Sequence, residues 1–262
     1  MKKSLPKYYN NRLSRAVAEF NLLEEGDRIV IGLSGGKDSS FLAYAMSIFL
    51  EHSAIDFDIC VVTVDMGIYK EKEFKIMRNF CNQLSLDYKV ERLETESPLT
   101  AGKDMKSACA VCSHVRKGTL VNFMKREGYN KLALGHHLDD AVETFLMSII
   151  YSGQITTFLP RHFLNRKKVE IIRPLVYLRE KEINSFMNKL EQFRPVKCRC
   201  SFSRNTGRTK IKKQFREIFR DKQLFSNLVA AIREDSPFEL WPESPEENKI
   251  TDRIKYLWEG YS

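Results

Sequence analysis

Residues 28–40 read Arg-Ile-Val-Ile-Gly-Leu-Ser-Gly-Gly-Lys-Asp-Ser-Ser. The run Arg28–Leu33 is apolar and β-branched, as a buried strand requires, and Ser39–Leu50 continues as a mostly apolar helical stretch. Strand, glycine turn, helix is the order of a ligand loop at the carboxyl end of a parallel strand. Two adjacent glycines, Gly35 and Gly36, permit positive φ and close approach of backbone to a ligand. Free N–H groups at the helix start form a nest for phosphate, to which Ser34, Ser39 and Ser40 add hydroxyls and Lys37 a point charge. An ordinary tight turn uses one glycine and one capping side chain; it does not call for the whole Ser-Gly-Gly-Lys-Asp-Ser string. The spacing matches neither the phosphate loop of kinases and GTPases nor the G-x-G-x-x-G dinucleotide fingerprint.

Outward from that loop, further short apolar runs occupy Ile59–Val64, Tyr88–Leu93 and Lys131–Leu134, with Val169–Ile172 as one more candidate strand. The first three runs begin about 30 residues apart, the spacing of a strand–helix–strand unit. Phe74, Met77, Phe80, Cys81 and Leu84 share one helical face, and Val115–Glu127 and Asp139–Tyr151 read as helices ended by Gly128 and Gly153. Alternation of this kind predicts an α/β fold with a doubly wound, mostly parallel sheet. The expected organisation is an N-terminal helical segment at 1–25, the loop-bearing α/β domain at 26–176, and a basic helical region with an acidic tail at 177–262.

A second polar constellation, Leu134-Gly135-His136-His137-Leu138-Asp139-Asp140, follows another strand and opens a helix. Gly135 lets a ligand approach. Asp139 and Asp140 suit a helix N-terminus through the dipole alone, or can hold magnesium or act as a base. The adjacent histidines are expected to point apart, which argues against joint ligation of one metal.

The chain has 262 residues, 43 Lys+Arg against 34 Asp+Glu, six cysteines and 43% hydrophobic residues. This is globular composition; it excludes a disordered chain, and no apolar run approaches the ~18 residues of a membrane span. The start, MKKSLPKYYNNR, has no apolar stretch after its basic residues, so a cytosolic protein with reduced thiols is expected. The charge excess is local: Arg194–Lys222 holds eleven Lys/Arg and two Asp/Glu, and the remainder balances at 32 against 32. Such a stretch can neutralise the phosphates of a polyanion or be a solvated helix face. Cys60 and Cys81 fall on apolar runs and read as core thiols. Cys109-Ala-Val-Cys112 at a helix start can hold a metal or a redox disulfide, and Cys198 and Cys200 could close such a site from a distance.

The S-G-G-x-D-S string resembles the signature of the PP-loop ATP pyrophosphatases, which adenylate a substrate oxygen and release pyrophosphate. That resemblance implies ATP binding by Ser34, Gly35, Gly36, Lys37, Asp38 and Ser39, with Lys37 and Asp38 also in the chemistry, and places Asp65 beside the nucleotide. Gly135-His136-His137-Leu138-Asp139-Asp140 is similar to the G-H-x-x-D-D element of PP-loop tRNA modifiers. It implies nucleotide contacts from Gly135, His136 and Asp139 and a catalytic Asp140. Cys109-Ala-Val-Cys112-Ser-His-Val-Arg116-Lys117-Gly118 and Tyr151-Ser152-Gly153 are similar to segments of the tRNA 2-thiocytidine synthetases, and the likeness extends over about residues 20–215. It implies ATP and Mg2+, a 4Fe–4S cluster on Cys109, Cys112 and a late cysteine, a catalytic Arg116, and replacement of the C2 oxygen of anticodon-loop cytidine 32 by sulfur. The late segment departs from the family's C-x-x-C-G. Counting back from Asn205 favours Cys200 over Cys198 as third ligand. The implied partners are tRNA and a sulfur donor, either a persulfide-carrying desulfurase or inorganic sulfide; a homodimer is allowed and a membrane is not expected. Rival readings are a 2-thiouridine or lysidine enzyme of the same superfamily, and a noncatalytic zinc-stabilised RNA-binding protein.

Overall fold

The computed structural model of the chain describes residues 3–93, 108–191, 193–196, 207–233 and 248–249, with 108–110 as backbone only. Six strands form one sheet: β1 (Asp27–Gly32), β2 (Phe57–Asp65), β3 (Asp87–Arg92), β4 (Lys131–Ala133), β5 (Arg161–Leu164) and β6 (Val169–Ile172). Their order is β3-β2-β1-β4-β6-β5, parallel throughout except for the antiparallel edge β5–β6. The connecting helices are α1 (Lys7–Glu19), α2 (Lys37–His52), α3 (Glu71–Gln83), α4 (Ala108–Glu127), α5 (Leu138–Ser152) and α6 (Glu180–Lys189). The basic region folds as α7 (Gly207–Gln214), α8 (Arg216–Arg220) and α9 (Lys222–Ala231).

The central strands are covered on both faces, and alternation along each strand divides them between two cores. Ile29 and Ile31 of β1 and Ile59 and Val61 of β2 face α1, α2, α3 and α6, whereas Val30, Cys60, Val62 and Val64 face α4. Burial raises the Cys60 thiol to about 11 and the Cys81 thiol to about 12, so both are inert core groups at neutral pH. The first core runs through the expected segment boundaries: Leu13 of α1 and Ile183 and Met187 of α6 belong to the same cluster as Phe41 of α2. Positions 25 and 176 therefore separate no independent cores. A smaller cluster of Val142, Leu146, Ile211 and Phe225 fastens α7 and α9 to α5.

Two elements differ from the sequence expectation. α4 starts at Ala108, seven residues before Val115, so Cys109 and Cys112 lie within the helix rather than ahead of it. β5 carries no strong strand signal because it is an edge strand, with His162 and Phe163 exposed. The strand order reverses direction at β1, whose neighbours β2 and β4 lead to opposite sides of the sheet. The loops after β1 and β4 diverge there and leave a crevice at the carboxyl ends of the strands.

Candidate active site at the reversal point of the sheet

The loop after β1 is held by its own polar groups. The Ser34 N–H donates to Ser39 Oγ at 3.1 Å, the two hydroxyls lie 3.0 Å apart, and Ser39 Oγ donates to the Gly36 carbonyl at 3.2 Å. From outside, Tyr69 donates its hydroxyl to the Ser34 carbonyl at 3.1 Å, and Thr63 donates to Leu33 at 2.9 Å. Gly35 has φ +73°, and a Cβ there would come within 2.6 Å of Val196 Cβ, so both conformation and space demand glycine. Gly36 is the N-cap of α2 and brings no side chain to its first N–H groups. The helix start is thus left to a ligand, as an anion site requires.

The loop after β4 presses against this one. A Cβ on Gly135 would stand 3.0 Å from the Asp38 carbonyl carbon and oxygen and from the Ser39 nitrogen. Only glycine lets the two loops close to that distance. Between them and α4 lies a cavity of about 490 Å3, lined by Ser34, Gly36, Asp38, Ser39, Arg116, Gly135, His136 and Asp140 among others. Its apolar wall comes from Leu33, Val62, Val64, Leu120 and Leu134, and its cations from Arg116, Lys117, Arg173 and Arg208. Four cations against two carboxylates make this a site for a polyanion with an apolar ring.

The two histidines do diverge. His136 lies against Phe158, centroids 5.2 Å apart, and its Nδ1 accepts from Arg173 Nε at 3.2 Å. An arginine only donates, so the ring proton sits on Nε2. Burial, with Arg173, Arg208 and Lys117 nearby, pushes this histidine down to about 4 against the pull of Asp140, so it is a neutral hydrogen-bond donor at pH 7. His137 instead caps α5: its Nδ1 accepts from the Asp140 N–H at 3.3 Å, and Asp140 Oδ2 accepts from the His137 N–H at 3.0 Å. Burial would raise the Asp140 carboxyl, but His137, the ion pair with Arg208 and the His137 N–H outweigh it and hold it below its ordinary range. Asp38 is opposite in sense. Burial lifts its carboxyl against the pull of His137, and its Oδ1 is buried with no hydrogen-bond partner.

Not every expected residue reaches this cavity. Asp139 is held by Arg179, with contacts of 2.9 to 3.1 Å, and by the Glu180 N–H at 2.8 Å. It ties α5 to α6 and does not line the cavity. Asp65 accepts from the Gly67 N–H at 2.9 Å and lies 3.9 Å from Arg92. Lys37 sits in the first turn of α2 without lining the cavity. Cys112 is half-buried on α4 and does not line the cavity; its sulfur is 3.5 Å from Met66 Sδ and 3.8 Å from Nη2 of Arg116, which does. Cys109 is one turn earlier on the same helix, and Cys198 and Cys200 lie outside the described residues. The chain entering that last stretch is fixed to the loop after β1, Val196 N–H donating to the Gly35 carbonyl at 3.1 Å. The chain leaving it returns at once to the site, through the ion pair of Arg208 with Asp140.

The sequence reading missed Lys117, Thr144, Phe158, Arg173 and Arg208. Lys117 adjoins the singled-out Arg116, and its amine is pushed down by burial and by Arg173. Arg173 follows the last strand of the parallel set, the position where such sheets present ligand contacts; burial pushes it down to about 10.

The PP-loop domain family matches residues 6–215 of the chain. The tRNA-cytidine(32) 2-sulfurtransferase of Citrifermentans bemidjiense is 30% identical over 231 residues, 87% of this chain and 90% of that protein. The Geobacter metallireducens protein of the same name is 35% identical over 191 residues, 72% of this chain and 73% of its own. Among solved structures, the U34-tRNA thiolase NcsA from Methanococcus maripaludis, with its 4Fe–4S cluster, superposes with a TM-score of 0.71 at 20% identity, over 91% of this chain and 84% of that one. That last likeness is one of fold. The glycine-built phosphate loop, its pressed partner loop and these matches together give one result: the chain belongs to the PP-loop family and groups there with the tRNA-cytidine(32) 2-sulfurtransferases.

Proposed function

We propose that this protein is an ATP-dependent tRNA thiolase that adenylates O2 of cytidine 32 in the anticodon loop and exchanges that oxygen for sulfur. The observation that carries the reading is the meeting of three elements in one cavity: the Ser34–Ser39 loop, the Gly135–Asp140 loop, and α4 through Arg116, whose guanidinium also lies 3.8 Å from the Cys112 sulfur.

In the first half-reaction ATP phosphates lie on the N–H groups and hydroxyls of Ser34–Ser39, with the base against Val62, Val64 and Leu120. The cytidine O2 attacks the α-phosphorus and the bond to pyrophosphate breaks. Arg173 and the neutral His136 Nε2–H offset the charge developing on the phosphoryl oxygens. Asp38, whose buried Oδ1 has no hydrogen-bond partner, would hold a Mg2+ ion, which would supply positive charge to the phosphates. Asp140, kept ionised by Arg208 and His137, holds Arg208 at the cavity. In the second half-reaction sulfide adds to C2 and AMP departs.

Cys109 and Cys112 stand three apart on α4, and the Arg116 guanidinium lies 3.8 Å from the Cys112 sulfur. This donor set fits a 4Fe–4S cluster completed by Cys200. When bound on three thiolates, such a cluster supplies a Lewis-acidic iron with a position left for sulfur. Sulfur would come from sulfide, or from a persulfide-carrying desulfurase together with a two-electron thiol reductant that releases its outer sulfur as sulfide. Outside the cavity, Lys210, Lys213, Arg216, Arg220 and Lys222 are exposed on α7–α9 and suit the phosphates of a tRNA whose target base has left its stack. The cytoplasm, where tRNA and reduced thiols coexist, is the expected compartment.

Anaerobic reconstitution with iron and sulfide tests the cluster. The account expects a 4Fe–4S absorption and spin signature that Cys109→Ala removes; no cluster, or one indifferent to that change, refutes it.

A further inference from the structure

Helix α7 has eight residues and carries four cations, Arg208, Lys210, Lys212 and Lys213, with no acidic residue. Left to itself such a segment would not be helical. It is shorter than isolated helices that persist in water, and Arg208 and Lys212, four apart, place like charges side by side. The neighbouring helices supply what it lacks. Ile211, fully buried, joins Val142 and Leu146 of α5 in one apolar cluster. On either side of it stands a pair of opposite charges: Arg208 with Asp140, and Lys212 with Glu143, 3.0 Å apart. Lys212 also reaches Glu180 of α6 at 2.7 Å.

The two pairs are unequal. Asp140 gives Oδ2 to the His137 N–H at the start of α5, and Oδ1 takes Arg208. A contact through one oxygen sets the guanidinium's partner but not its direction, unlike a bidentate pair. The direction has to come from the backbone of α7. Lys212 bridges two helices, and its partner Glu143 is buried on α5, so this pair holds the backbone. Arg208 lines the cavity, and a guanidinium has further N–H donors beyond the one given to Asp140. We propose, taking the cavity to hold ATP as above, that Arg208 contacts the nucleotide phosphates and that Lys212 is its positioning residue, setting α7 so that this guanidinium meets them. Lys210 and Lys213 of the same helix are exposed. The element suited to tRNA phosphates on one face thus delivers a cation to the cavity on the other.

Calorimetric titration of the full-length protein with α,β-methylene ATP and Mg2+ reads the affinity directly. Glu143, which burial raises to about 7 against the pull of Lys212, can take a proton once that lysine is gone, so Lys212→Met should keep the fold, as circular dichroism verifies. Lys212→Met is expected to weaken binding of the analogue by about tenfold. Lys212→Arg, which keeps both ion pairs, should bind as the wild type does. Glu143→Gln reaches the same contact from the other side; it should weaken binding in the same sense, and it carries the test if Lys212→Met does not fold. In an Arg208→Ala background Lys212→Met should cost nothing further, because it acts through Arg208. A lysine that merely stabilised the fold would lower the unfolding temperature and leave the affinity where it was. Two results overturn the proposal while leaving the ATP reading intact: affinity indifferent to Lys212→Met, or losses that multiply in the double variant. A wild-type protein that does not bind the analogue overturns both.

Discussion

Gly135 shows how single residues set the site. A methyl group on it would stand 3.0 Å from the Asp38 carbonyl and the Ser39 nitrogen, backbone rather than a yielding side chain. Gly135→Ala should therefore part the loops, destabilise the fold by about 1–3 kcal/mol, and abolish ATP-dependent pyrophosphate release; chemical denaturation and a pyrophosphate assay read the two effects. His136 gives a second prediction. Its folded pKa, about 4, lies below the model-peptide value near 6.5, so the unfolded chain binds more protons between those pH values. Stability then rises with pH across that window and falls as the solution is acidified from 6.5 towards 4. NMR titration should find His136 neutral, as the Nε2–H tautomer, at pH 6. Arg173→Ala removes the donor that fixes this tautomer and should free the ring to populate the other.

At the scale of elements, α5 is the hub, because three successive acidic positions on it bind three different partners. Asp139 takes Arg179 at the start of α6, Asp140 takes Arg208 of α7, and Glu143 lies 3.0 Å from Lys212 of the same helix. Asp139→Ala leaves the half-buried Arg179 guanidinium without its carboxylate, holding only the Phe219 carbonyl among the described residues, and should destabilise the fold by about 1–3 kcal/mol. An active-site role alone would leave stability unchanged, so thermal unfolding separates the two. This hub also shows what the sequence could convey. The strand and loop at residues 28–40 were legible because glycine pairs and β-branched runs are local signals, and the histidines' divergence followed from chain geometry. The partner of Asp139 was not legible. An acidic pair at a helix start looks the same whether it faces a ligand or an arginine forty residues away. Arg173 and Arg208 were equally hidden, being single arginines whose placement at the cavity is decided by tertiary packing. Edge strand β5, with exposed Phe163 and His162, lacks the pattern that marks the interior strands.

For the whole molecule, location matters more than total charge. Of the basic residues in the stretch from 194 to 222, Arg208 and Lys212 are consumed by carboxylates of α5 and α6, whereas Lys210, Lys213 and Arg216 remain on the surface. The stretch thus divides into a face that docks and a face that is available to phosphate. Replacing Lys210 and Lys213 together by Gln should weaken tRNA binding and reduce the slope of log affinity against log salt by about 1 to 2, with ATP binding unchanged; filter binding across a salt series measures it. In the proposed reaction the cavity, the α4 cysteines and this basic face act together on one tRNA. The most direct test is mass spectrometry of nucleosides from tRNA incubated anaerobically with the reconstituted protein, ATP, Mg2+ and sulfide. The account predicts 2-thiocytidine, mapped to position 32 and absent without ATP. Unmodified cytidine, or sulfur found on a uridine instead, would contradict it.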